Sequence, residues 1–244
     1  MKKVIGIGID GVLRDVLGQF DNIFRKKYIF DSAELKTEDL GDGQLKLGDT
    51  AEEDAKSSAV KQKELDLIRM PVDTADLTNH YTFPERKEEF LDEEGNKEIF
   101  TLSQEELLDK FMFEEYPYQI FAKADPIKNA IDTFHKMQTK GIKDDSYDII
   151  LMSKLKGASI PSTFTFFGNN HIRVKNFVAV DEEWQKWEHC DVLIDCSSEA
   201  IQSCPEGKTI IKINKEWNSW DFSEKSFDSL EDVFNSIRKE ELVF

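Results

Sequence analysis

The chain has 244 residues, with 49 Asp or Glu against 32 Lys or Arg and a formal net charge of −17. That charge excludes nucleic acid and anionic membranes as expected partners, because both call for a basic patch and the acid here is spread along the whole chain. The length allows one large domain, or a core domain carrying a substantial insertion. The N-terminus lacks the order of a signal peptide and no apolar run approaches the length of a membrane span, so the expectation is a soluble protein made in a cytoplasm.

In chain order, "KVIGIGI" (3–9) is a continuous apolar run of strand length, which suits a parallel strand covered on both faces. "DGVLRDVLGQFDNIFRKKY" follows and places Val12, Val16, Phe20, Ile23 and Phe24 at helical spacing. From 31 to 118 the composition turns heavily charged, and this stretch reads as an insertion between parts of one core, partly extended or mobile. Residues 36–66, poor in apolar side chains and supplied with Gly41, Gly43 and Gly48, are expected to pack little against the core and to be ordered mainly by a partner. The acidic runs Glu52 to Asp54 and Asp92 to Glu94 read as solvated faces. In "SQEELLDKFMFEEY", Ser103 and Glu106 have the spacing of a capping box.

The second half alternates regularly. "DPIKNAIDTFHKMQTKG" predicts a helix opened by Asp125 and Pro126 and closed by Gly141. "YDIILMS" (147–153) reads as a buried strand, "IPSTFTFFGNN" as a short helix and "VKNFVAV" as another strand. "CDVLIDC" (190–196) and "KTIIKIN" (208–214) are further strands, and "SLEDVFNSIRKEEL" is a closing helix. Strands alternating with helices predict a parallel α/β sheet.

Cys190, Cys196 and Cys204 are spaced by six and eight residues, which does not fit the close ligand pairs of a zinc site; reduced, buried thiols are expected. The four tryptophans, Trp184, Trp187, Trp217 and Trp220, fall within about forty residues of one another, as a core cluster or as a contact surface for a partner.

The opening "GIGIDG" supports two readings. As G-x-G-x-x-G (Gly6, Gly8, Gly11) it is the phosphate-cradling turn of a dinucleotide-binding protein, with Asp31 twenty residues after Gly11 where a ribose-binding acid belongs. Against this, the chain enters a charged insertion instead of further strand–helix units, and Asp10 would face a pyrophosphate charge to charge.

The other reading joins four motifs. "VIGIGIDGVLRD", "IILMSK", the lysine of "EWQKWEHC" and "CDVLIDC" together resemble the haloacid dehalogenase (HAD) superfamily, in particular its 5'-deoxynucleotidase-like branch. The resemblance covers about residues 3–26 and 112–214. It implies a three-layer α/β/α sandwich with a parallel, Rossmannoid sheet. The core would comprise 1–30 and 119–244, and the acidic segment 31–118 would form a cap-like insertion.

Phosphoryl transfer in this family needs a carboxylate nucleophile, a second carboxylate two residues on as general acid, and a magnesium ion on the phosphate oxygens. Strand alternation sends positions two apart to one side, so the D-x-D pair maps onto Gly8 and Asp10. The acid is present and the nucleophile is absent. At the last motif, where this branch carries a second acid, Asp195 is followed by Cys196, and a thiol is a poor ligand for a hard cation.

Ser153 and Lys186 occupy the positions of the family's phosphate-binding hydroxyl and charge-offsetting lysine. Without the nucleophile they are expected to be an ordinary strand-end serine and a solvated lysine. Asp10 and Asp195 are the two residues that could share a weakly held cation, and the plainer role for Asp10 is to cap the following helix.

The expectation is therefore a vestigial site (Gly8, Asp10, Ser153, Lys186, Asp195, Cys196) with no catalytic residues and no cofactor. The protein would be a non-catalytic structural or interaction component whose partners are other proteins. Nucleotidase-like members of the superfamily are common in phage genomes, so the resemblance places it in a phage, carried in a large assembly such as the virion. The alternative is a magnesium-dependent nucleotide phosphatase.

Overall fold

The structure is a computed structural model that describes residues 2–30, 77–91, 97–140, 147–239 and 241–242. Asp31, the stretch 36–66, both acidic runs and Gly141 lie outside the described residues.

Six parallel strands form the main sheet: β1 (Lys3–Gly8), β4 (Tyr147–Lys154), β5 (Phe177–Val180), β6 (Val192–Asp195), β7 (Thr209–Ile213) and β8 (Ser226–Phe227). Their order is β5-β4-β1-β6-β7-β8, so β1 is central and pairs with β4 on one side and β6 on the other. A separate antiparallel ribbon joins β2 (Lys87–Leu91) and β3 (Lys97–Thr101). The helices are α1 (Val16–Arg25), α2 (Gln104–Asp109), α3 (Ala130–Lys140), α4 (Ser159–Asn169), α5 (Ser198–Gln202) and α6 (Leu230–Arg238).

The apolar run of β1 is explained by its place in the sheet. Ile5 and Ile7 are buried with Leu151, Val192, Ile194 and Ile211 from neighbouring strands, and α3 and α6 cover that face with Phe134, Met137, Val233 and Phe234. Met152, Leu193, Trp187 and Ala200 fill the other face. Burying each such side chain contributes roughly 1.5–3 kcal/mol.

A second cluster centres on α1. Val16, Phe20 and Phe24, one helical face, meet Tyr81, Phe83, Leu107, Phe111 and Phe121. The Phe20 and Tyr81 rings lie edge to face with centroids 4.9 Å apart, and Phe24 meets Phe83 at 5.1 Å. The described part of the insertion is thus attached to the first helix after β1. Its α2 begins with the expected capping box: Ser103 Oγ accepts from the Glu106 amide (3.2 Å), and Glu106 Oε2 accepts from the Ser103 amide (2.8 Å).

Two helix starts differ from the sequence expectation. Helix α1 begins at Val16, leaving Val12 in the turn, because the amides of Val12, Leu13 and Arg14 all donate to the Ile9 carbonyl and curl the chain tightly first. Its cap is Asp15, which accepts from the Gly18 amide at 2.9 Å, so capping is not the role of Asp10. Helix α3 begins at Ala130, later than Asp125 and Pro126. Residues 125–127 are held against the turn after β1, with the Asp15 amide donating to the Asp125 carbonyl (2.8 Å) and the Ile127 amide to the Leu13 carbonyl (2.9 Å).

Candidate functional site

The strand order reverses beside β1, and a parallel sheet places its ligand crevice at the carboxyl ends of the strands next to such a reversal. Gly8 and Asp10 lie at the end of β1, Ser153 at the end of β4 and Asp195 at the end of β6. Lys186 enters from the 3-10 turn Glu183–Glu188, between β5 and β6. The structure therefore brings Asp10, Ser153, Lys186 and Asp195 to one edge of the sheet. Asp10, Lys186 and Asp195, together with Cys196, line a cleft of about 610 Å³.

The geometry at Gly8 is decisive for the chemistry. A Cβ on this residue would overlap the Asp195 carboxylate, 2.7 Å from Cγ and 2.9 Å from Oδ1. The side-chain direction at position 8 thus points into the cleft edge shared with Asp195, as a degenerate D-x-D requires, but the volume is already filled. Asp195 is 1% exposed. Its Oδ1 accepts from the amides of Cys196 (2.7 Å) and Ser197 (3.0 Å), and its Oδ2 accepts from Lys186 Nζ (2.7 Å).

Lys186 is not a solvated lysine. It is 3% exposed and sits between Asp195 and Glu183, with which it also forms an ion pair. Burial works against its charge, but Asp195 and then Glu183 outweigh that cost and hold its pKa above the ordinary lysine value. Glu183 is shifted upward as well, which for a carboxyl favours the neutral form. Burial raises its carboxyl pKa against the pull of the Lys186 ammonium, and Asp195 adds to the rise.

Asp10 belongs to a second buried network. Arg14 Nε donates to Asp10 Oδ1 (2.6 Å) and the Ser153 hydroxyl donates to Asp10 Oδ2. Arg14 is 0% exposed; Nη1 donates to the Phe121 carbonyl (2.9 Å), Nη2 to Thr163 Oγ1 (3.1 Å), and its guanidinium lies over the Phe121 ring at 5.1 Å. Ser153 is itself fully buried, so it is part of this network and not an ordinary strand-end serine. The Cys196 thiol donates to the Asp10 carbonyl (3.3 Å), and a Cβ on Gly11, whose φ is +75°, would collide with its sulfur. Burial pushes the Cys196 thiol well above the ordinary cysteine range and that of Cys190 up to about 12, so neither is a ready thiolate.

Arg14 and Glu183 escape the sequence reading. The available signal for Arg14 is a basic residue inside the apolar run "GVLRDVL", and for Glu183 its place three residues before Lys186, one helical turn away.

The magnesium ion implied by the HAD resemblance does not fit these donors. Each carboxylate oxygen of Asp10 and Asp195 already accepts a hydrogen bond from a protein donor, and Cys196 offers sulfur to a cation that prefers oxygen. Among the described residues, no three His, Cys, Asp or Glu side chains converge on a possible metal position. The dinucleotide cradle is also closed. Gly6 and Gly8 lie inside β1, and the space above them is taken by Met152 and Cys190 in one case and by Asp195 in the other.

The cleft is acidic. Among the described residues its lining includes nine Asp and Glu side chains against three lysines, each already ion-paired: Lys154 with Glu182 (2.6 Å), Lys156 with Asp109 (2.9 Å) and Lys186 with Asp195.

Solved structures share this architecture. The HAD-hydrolase YfnB of Bacillus subtilis, determined bound to magnesium, matches 97% of this chain and 99% of its own, at 12% identity and a TM-score of 0.50. A haloacid dehalogenase-like family hydrolase from Streptococcus pneumoniae matches 96% of this chain and 97% of its own, at 11% identity and a TM-score of 0.50. No protein-family model and no curated protein matches the sequence. The chain has the HAD-like α/β fold, with a mostly parallel six-stranded Rossmannoid sheet. No helix among the described residues is long and apolar enough to cross a membrane.

Proposed function

We propose that this chain is a non-catalytic protein of HAD-like fold that serves as a structural or protein-interaction component. The observation that carries this reading is the Asp195 carboxylate, which fills the side-chain space over Gly8 and is held there by Lys186 and two backbone amides. A covalent phosphoryl route needs a nucleophile at that place, and the site offers neither the group nor the room. The pairing of Asp10 with buried Arg14 adds to this. Both Asp10 carboxylate oxygens accept from protein donors, Arg14 and Ser153, which ties the group to the protein instead of leaving it free to serve a leaving group.

The paired lysines of the cleft give a phosphate dianion little to bind, so neither a magnesium ion nor a nucleotide belongs to the reading. Its partners are other proteins, and a large assembly such as a virion is the setting we propose, on the fold analogy alone. Co-sedimentation with a large particle is the expected behaviour, and a protein found only as a free monomer in its source would remove that setting.

The enzymatic reading is tested directly. Purified protein is expected to hydrolyse deoxynucleoside monophosphates and p-nitrophenyl phosphate no faster than buffer containing magnesium. Metal-dependent turnover that disappears in Asp10→Asn would overturn the proposal and establish a phosphatase.

A further inference from the structure

The segment between β7 and β8, "NKEWNSWDFSEKS", displays two aromatic side chains almost entirely to solvent. Trp220 is 91% exposed and Phe222 is 85% exposed. The backbone beneath them is firmly anchored. Asn218 is buried and its Nδ2 donates to the carbonyls of Cys196 and Ile213, both at 2.9 Å, while its Oδ1 accepts from the Lys215 amide at 2.8 Å. The buried Lys212 reaches out from β7 to donate to the carbonyls of Asn218 (3.3 Å) and Asp221 (2.7 Å). Gln202 Nε2 holds Asp221 Oδ1 at 2.7 Å.

The same loop packs Trp217, whose Nε1 donates to the Cys196 carbonyl at 3.3 Å. The loop therefore has its own partly buried aromatic, packed against the core, and its own polar anchors, and these hold it without Trp220 or Phe222. A rigid backbone presenting aromatic side chains loses little conformational entropy when they are covered, which is how interface anchors behave.

The surrounding charge selects the kind of partner. The exposed charged side chains of 214–228 are Glu216, Glu224 and Asp228, all acidic, whereas Lys212 is buried and Lys215 and Lys225 are half-buried. A second copy of this chain would bring the same acidic rim and the same net charge of −17. We propose that Trp220 and Phe222 form the anchor of a docking surface for another protein, one that presents an apolar patch rimmed by arginine or lysine. Arginine suits the place best, because a guanidinium can stack on the Trp220 ring while reaching the flanking carboxylates. The inference deepens the interaction reading above and rests on it, but its test is independent of the phosphatase assay.

The experiment uses the full chain and an array of short synthetic peptides of three kinds: arginine with leucine, glutamate with leucine, and serine with glycine. Binding is followed by fluorescence anisotropy at low and high salt. The arginine–leucine peptides are expected to bind and to weaken with salt. In Trp220→Ala/Phe222→Ala their affinity should fall by about tenfold or more, with the thermal midpoint unchanged because neither side chain is packed.

Affinity that survives this double substitution would show general attraction to an acidic protein and overturn the proposal. Equal binding of the glutamate–leucine peptides, or no binding of the arginine–leucine peptides, would overturn it as well. Self-association in sedimentation velocity that is lost in the double variant would assign the surface to a second copy instead. Failed peptide binding without phosphatase activity would remove this surface and leave the non-catalytic reading intact; peptide binding together with phosphatase activity would do the reverse.

Discussion

Replacing Gly8 by alanine tests whether Asp195 occupies the place of the missing side chain. The new Cβ would lie 2.7 Å from Asp195 Cγ, well inside van der Waals contact. Two responses are open. If β1 and β6 shift apart, the cost is that of overpacking, about 1–3 kcal/mol. If the carboxylate leaves, it gives up charge-assisted hydrogen bonds to Lys186 or to the Cys196 and Ser197 amides, about 1.5–3 kcal/mol for each one lost.

An opposing gain of about 0.4–1 kcal/mol comes from the stiffer unfolded chain, since Gly8 is not in the left-handed region and alanine suits its backbone. The net expectation for Gly8→Ala is a loss of about 1–2 kcal/mol, or a fall in melting temperature of roughly 2–8 °C for a chain of this size. Gly8→Asp should cost more at neutral pH, because it sets a second carboxylate against the first, and should recover part of the loss in acid. The assay is equilibrium urea unfolding followed by tryptophan fluorescence, run as a cycle with Asp195→Ala. Removing the carboxylate removes the collision, so the double variant should be more stable than the sum of the singles predicts, by about 1 kcal/mol. A Gly8→Ala protein as stable as the parent, or a strictly additive cycle, would refute the placement of Asp195.

The second network gives a companion test. Arg14→Met strands Asp10 and the acceptors on Phe121 and Thr163, and should cost about 3–5 kcal/mol in urea unfolding; Arg14→Lys should recover little, because one ammonium cannot reach acceptors on three elements. The Lys186 cluster predicts a pH dependence. Glu183 has a raised pKa in the folded protein, so its contribution is fully present below its unfolded value of about 4.5 and is lost as pH rises through the folded value. Glu183→Gln cannot ionise, so its stability relative to the parent should improve as pH rises from about 4 to about 8, measured by thermal unfolding across that range. A stability difference that stays flat or falls over this range would show that the Lys186 ammonium outweighs the burial of Glu183.

Features with a short range were legible in the sequence. The strand runs 3–9, 147–153 and 208–214, the helical spacing of Phe20 and Phe24, and the Ser103–Glu106 box all formed close to their expected bounds, because period and capping act within a few residues. The placement of Gly8 and Asp10 was legible too, since positions two apart at a strand end form a local pattern, and both stand at the carboxyl end of β1.

What the side chains do there was settled only by long-range packing. Asp195 reaches the space over Gly8 because β6 pairs with β1 across nearly the whole chain, and Lys186 is buried because its turn is clamped between β5 and β6. Arg14 is drawn inward by acceptors more than a hundred residues away, Phe121 and Thr163. The four tryptophans have the same residue type and neighbourhood in sequence, yet Trp187 is buried and Trp220 is bare, a difference that hydrophobicity cannot encode. Local sequence sets which element forms, because backbone torsions and hydrogen bonds close within a turn or a strand. Burial and charge pairing depend on which distant surfaces meet, and only the assembled sheet decides that.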